Sequence, residues 1–129
     1  MKKVYITVLS LFLSVYASAQ VFTIINESSC ELDQKTTFAA AGVAVKSTPK
    51  VIFPHSSESI IVDYNGLYSG VDEYLVGSDF NVICNSKDDG VFSIKIATNK
   101  YSANLSSNSI DTADGNKQPN SIVLVDYKK

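Results

Sequence analysis

Apolar and polar residues alternate most regularly in residues 78–98 (SDFNVICNSKDDGVFSIKIAT). Phe80, Val82 and Cys84 fall on one face, with Asn81 and Asn85 on the other. Phe92, Ile94 and Ile96 then share a face against Ser93 and Lys95. Period-two alternation marks a strand with one buried side. Residues 85–90 (NSKDDG) between the two runs are turn formers, so the stretch predicts a β-hairpin with Cys84 facing the core.

The same reading extends along the chain. Residues 21–25 (VFTII) are apolar on both faces and predict a central strand. Cys30 and Leu32 alternate with Glu31 and Asp33 in a short second strand. Residues 34–38 have no clear period, and 39–41 suggest a helical turn that Gly42 stops. Val43 and Val45 predict another short strand, 51–53 a brief one ended by Pro54, 59–63 (SIIVD) a clear one, and 74–76 a short one before the hairpin. Beyond Thr98 the chain is rich in Asn, Ser and Asp; 101–105 predict a strand and 111–120 (DTADGNKQPN) a loop. Residues 121–127 (SIVLVDY) close the chain with a strand again apolar on both faces. This pattern predicts an all-β fold, an antiparallel β-sandwich of about eight short strands, with the first and last strands paired in one sheet.

The first nineteen residues follow a different pattern. Met1, Lys2 and Lys3 form a basic start, 4–15 (VYITVLSLFLSV) an apolar run, and 17–19 (ASA) a small-residue cleavage box. That order predicts a secretory signal peptide over 1–19, leaving 20–129 as a single domain and a secreted protein, extracellular or periplasmic. Cys30 and Cys84, the only cysteines, are then expected to form one disulfide. With both sulfurs on core-facing positions, the expected bridge runs across the sandwich.

Charge narrows the partners. Residues 20–129 hold nine lysines, no arginine and thirteen acids, a net charge of about −4. Without a basic patch or an arginine fork, nucleic acid is not an expected partner. His55 is the only histidine; although Ser56, Ser57 and Glu58 follow it, neighbours along an extended chain rarely converge into a nucleophile, base and orienting acid. No nucleophile-elbow, zinc-helix or phosphate-loop motif occurs. Asp111, Asp114 and Asn116, and Asp88 and Asp89 before Gly90, read as solvated turn carboxylates rather than a metal site. The expectation is a protein that is not an enzyme and needs no cofactor. A ligand is better suited to 64–74 (YNGLYSGVDEY), where Tyr64, Tyr68 and Tyr74 offer amphipathic rings and Asp72 and Glu73 offer acceptors to sugar rings or lipid headgroups.

Residues 56–76 (SSESIIVDYNGLYSGVDEYLV) resemble the aegerolysins: an apolar strand, a small-residue loop, and an SG-x-acid turn, here 69–73, into the next strand. Residues 80–84 (FNVIC) with the acidic turn 87–90 (KDDG), the opening 24–32 (IINESSCEL) and the closing 121–129 (SIVLVDYKK) extend the resemblance over most of the chain after residue 19. The resemblance implies a compact β-sandwich that recognises membrane lipid, typically sphingolipid, some members lysing cells with a larger pore-forming protein partner. Family members use tryptophans for membrane contact; this chain has none, so the role passes to Tyr64, Tyr68 and Tyr74. Asp72 and Glu73 would bond the headgroup, with Lys87, Asp88 and Asp89 as a second binding loop. The competing expectation is a protein-binding or adhesin-like, pilus-type subunit that donates its C-terminal strand between copies. Asn26 and Asn104 both stand in N-x-S sequons, open to glycans in a eukaryotic secretory route.

Overall fold

The computed structural model describes residues 19–63, 74–98, 100–115 and 120–128. The expected signal peptide, apart from Ala19, and the residues Tyr64, Tyr68, Asp72, Glu73 and Asn116 lie outside the described residues.

The described chain is all β, with ten strands in two sheets. In order they are β1 (Ala19–Asn26), β2 (Glu31–Ala39), β3 (Ala44–Ser47), β4 (Val51–Ile52), β5 (Ser56–Asp63), β6 (Val76–Cys84), β7 (Lys87–Ala97), β8 (Lys100–Ser107), β9 (Ile110–Thr112) and β10 (Ser121–Asp126). One sheet has the order β3-β5-β1-β10-β9 and the other β4-β2-β6-β7-β8. The expected pairing of first and last strands is present, and β1 is the middle strand of its sheet. The β1–β10 pair is parallel, the one exception to an otherwise antiparallel set of described pairings.

Alternation accounts for the core. Phe22, Ile24, Ile60, Val62, Ile122 and Leu124 come from the inner face of the first sheet. Leu32, Val76, Phe80, Val82, Phe92, Ile94 and Ile96 come from the second, and all are buried. Phe80 and Phe92 stack across the β6–β7 pair at 6.2 Å, and Phe22 meets the edge of Tyr101 between the sheets at 4.8 Å. Such aromatic contacts add to the area they bury.

Four local expectations need correction. The stretch 34–38 is the second half of β2, where polar residues occupy both faces because hydrogen bonds and not burial hold it. Thr36 donates to Asp79 at 2.9 Å, Thr37 and Ser78 share a bond of 2.9 Å, and a bulge separates Gln34 from Thr36. Residues 39–41 lead into a turn, not a helix. The hairpin loop is two residues, not six: Asn85 (φ 52°) and Ser86 (φ 63°) take the left-handed pair that a tight hairpin turn needs. Lys87, Asp88, Asp89 and Gly90 already belong to β7. Finally, Asp111 and Thr112, expected at the start of the loop 111–120, belong with Ile110 to the short strand β9 against β10.

The disulfide joins Cys30 and Cys84 with Cα atoms 4.6 Å apart. It does not cross the sandwich. Glu31 pairs with Ile83, so Cys30, the residue before β2, sits beside Cys84, the last of β6, at one end of a single pair of neighbouring strands. Its presence suits an oxidising compartment.

Candidate functional site

The strand directions give the sandwich two ends. At one, β5 ends at Asp63 and the described chain resumes at Tyr74, beside the C-terminal end of β2, the turn before β3 and the β7–β8 connection. The two residues that flank the tyrosine segment, Asp63 and Tyr74, therefore both lie at this end. Tyr74 is 38% exposed, and the Lys100 ammonium lies 5.7 Å from its ring centroid, within cation–π range. Phe38 is 54% exposed. It lies on the outer sheet face opposite Gly77, and its ring occupies the space a side chain at 77 would need. Sequence reasoning overlooked Phe38 because it falls in the stretch without a period.

Lys87, Asp88 and Asp89 sit at the other end, about 30 Å away along the nine residues of β6. The expected second loop is thus not brought together with Tyr74. Asp89 has a structural task there. In the β7 bulge Asp89 and Gly90 face the single residue Val82. The Asp89 carboxylate accepts bonds from the Ser107 hydroxyl and from the Asn108 and Ser109 N–H groups at 3.1 and 3.0 Å. It holds the turn between β8 and β9. Gly90 (φ 115°) is required at the bulge, since a Cβ there would lie 1.7 Å from the Ser106 carbonyl oxygen.

A second carboxylate organises this end from the other sheet. Asp126 accepts from both the backbone N–H and the hydroxyl of Ser29 at 2.8 Å. The Tyr127 N–H donates to the Ser109 carbonyl at 2.8 Å, joining the C-terminal segment to the Asp89-held turn. Between these elements a cleft of about 460 Å³ is lined by Ser29, Asn85, Asn108, Ser109, Asp126 and Tyr127, with the disulfide at its base. Beneath it Asn26, fully buried, donates to the Cys30 carbonyl at 2.8 Å and the Phe53 carbonyl at 3.2 Å, and accepts from the Ser28 N–H. A glycan on this sequon is incompatible with that packing, whereas Asn104 is exposed on β8.

His55 (φ 59°) lines an adjoining hollow of about 530 Å³ with Glu27, Ser56 and Ser57. The Ser56 hydroxyl, however, donates to the Phe53 carbonyl at 2.7 Å rather than to the imidazole. Among the described residues no group of three or more His, Cys, Asp or Glu side chains is placed to hold a metal.

The hydrogen bonds set the carboxyl acidities. Asp89 is held below the usual range, chiefly by the Ser107 hydroxyl; Asp126 is held below it by the Ser29 backbone and hydroxyl, with His55 adding to the effect. A lowered folded value contributes stability above the unfolded value that is lost as pH falls through the folded one. Glu31 has the opposite sign, its carboxyl raised by a hydrogen bond with the adjacent Asp33. Thermal melts between about pH 5 and about pH 2 are expected to show a falling Tm, with a shallower fall in D89N and D126N. An unchanged slope in both variants would remove these carboxylates as the cause.

No family model matches the chain, and no curated protein matches it.

Proposed function

We propose that this chain is a secreted, non-enzymatic binding module that recognises membrane lipid, in the manner of an aegerolysin-like sandwich, through the end where Asp63 and Tyr74 flank the tyrosine segment. The observation that carries the reading is the pair of exposed aromatic rings there, Phe38 and Tyr74, with Lys100 over the latter. Aromatic rings with a polar or cationic neighbour favour the headgroup region of a bilayer. Tyr64, Tyr68, Asp72 and Glu73 belong to the segment between Asp63 and Tyr74, the tyrosines for the interface and the acids for hydrogen bonds to a headgroup, with sphingolipid the favoured class. A larger pore-forming partner would be needed for lysis.

Lys87, Asp88 and Asp89 are left out of this surface, because a flat bilayer meeting one end of the sandwich cannot also meet the other. Strand donation is less well supported: β10 is hydrogen-bonded to β1 on one side and β9 on the other, and both pairings would have to break.

Co-sedimentation with liposomes of varied headgroup tests the proposal. Binding that depends on one headgroup is expected, with at least about a tenfold loss when Tyr64, Tyr68 and Tyr74 are replaced together by Ala, a change of about 1.4 kcal/mol. Equal binding by the wild type and this variant would sink the assignment, as would no binding to any composition.

A further inference from the structure

We infer that the cleft at the disulfide end is a binding site for a neutral saccharide. The site is separate from the lipid-facing end and stands whether or not that reading does.

The first ground is the chemistry of the lining. A sugar hydroxyl both donates and accepts, so its site must offer both. The side-chain amides of Asn85 and Asn108 do so, the Asp126 carboxylate accepts, and the hydroxyls of Ser29 and Ser109, whose protons go to Asp126 and Asp89, accept as well. Tyr127, 53% exposed, adds an aromatic ring on which the apolar C–H face of a pyranose can stack. Among the described residues no lysine lines the cleft, and the Asp126 carboxylate stays ionised at neutral pH. That combination disfavours phosphates, sulfates and acidic sugars. The predominance of amide, hydroxyl and carboxylate groups equally disfavours an acyl chain.

The second ground is that the backbone carrying these polar groups is held before any ligand arrives. Asn85 is fixed by the two-residue hairpin turn. Asn108 and Ser109 are fixed by their N–H bonds to Asp89, and Ser29 by its two bonds to Asp126. The Cys30–Cys84 bond pins the base between them. Preorganisation lowers the ordering cost that otherwise weakens recognition of a small polar ligand. The volume, about 460 Å³, lies within the range of small-molecule sites and leaves room for a mono- or disaccharide.

The test is a nitrogen–proton NMR titration of the purified protein with methyl glycosides of mannose, galactose, glucose and N-acetylglucosamine, without lipid. Expected are saturable shifts from at least one glycoside at the amides of Ser29, Asn85, Asn108, Ser109, Asp126 and Tyr127. Y127A and N108A, both changing exposed side chains, are each expected to weaken that affinity by about tenfold while leaving the melting temperature unchanged. No saturable shift from any glycoside overturns the inference, and so do shifts centred on Tyr74 and Lys100 or an affinity unmoved in both variants. Liposome binding by Y127A reads the lipid proposal alone, so the two can fail separately.

Discussion

Replacing Cys30 and Cys84 together with alanine is expected to lower the stability of the fold by about 4 kcal/mol. The bond closes a loop with a sequence separation of 54 residues, and the constraint it removes from the unfolded chain grows with the logarithm of that length. For a domain of this size the loss corresponds to a fall in Tm on the order of 15 °C or more. Both cysteines are core residues, so two small cavities add to the loss. The double variant isolates the bond better than a single one, which would leave a free thiol. Urea unfolding of the variant and the wild type would decide the matter; a difference below about 1 kcal/mol would mean that the register of β2 on β6 needs no covalent help.

The second large effect is expected at Asn26. One amide there joins the end of β1 to the turn before β2 and to the segment after β4: it donates to the carbonyls of Cys30 and Phe53 and receives the Ser28 N–H at 3.1 Å. Asn26→Leu keeps the volume and removes every one of these bonds, leaving buried carbonyls without a donor, for an expected loss of about 3–5 kcal/mol. Asn26→Asp separates polarity from hydrogen-bond pattern. The introduced carboxylate would face carbonyl oxygens, so its folded pKa is raised above the unfolded value. Its penalty is then smallest below the unfolded value of about 4 and grows as pH rises through the folded one. Urea midpoints for N26D at about pH 4 and about pH 7 should differ in that direction, after subtraction of the wild-type change. A midpoint independent of pH would mean that the introduced group escapes to solvent.

What the chain reveals before folding depends on which side chains are buried. Phe80, Val82 and Cys84, and Phe92, Ile94 and Ile96, betray their strands because one face of each is fully enclosed. Thr36 and Thr37 betray nothing, since hydrogen bonds to Asp79 and Ser78 hold that part of β2 and any polar sequence could be read there. The pairing of Cys30 with Cys84 is legible because no third cysteine competes; its position within one sheet is not, because alternation gives the face a residue occupies and not its neighbour. The hairpin was legible in kind and not in length. NSKDDG is turn-forming throughout, yet Asp89 and Gly90 form a bulge whose reason lies in Ser107, Asn108 and Ser109. The cleft was invisible for a related reason. Ser29, Asn85, Asn108 and Tyr127 come from four separate turns or strand ends, and only the topology gathers them.

The parallel contact between β1 and β10 also bears on when the protein can fold. Thr23 meets Ser121 and Asn26 meets Leu124, partners about a hundred residues apart in sequence. Until the last strand has been made, the first sheet lacks its fourth member, and β9, which pairs with β10 alone in that sheet, has no place to bind. Closure of so distant a contact is entropically slow, which places folding in the millisecond-to-second regime typical of non-local β topologies. The second sheet, whose strands all lie within residues 31–107 and whose β2–β6 pair carries the Cys30–Cys84 bond, does not wait for that contact, so its register and its disulfide can form before the first sheet closes.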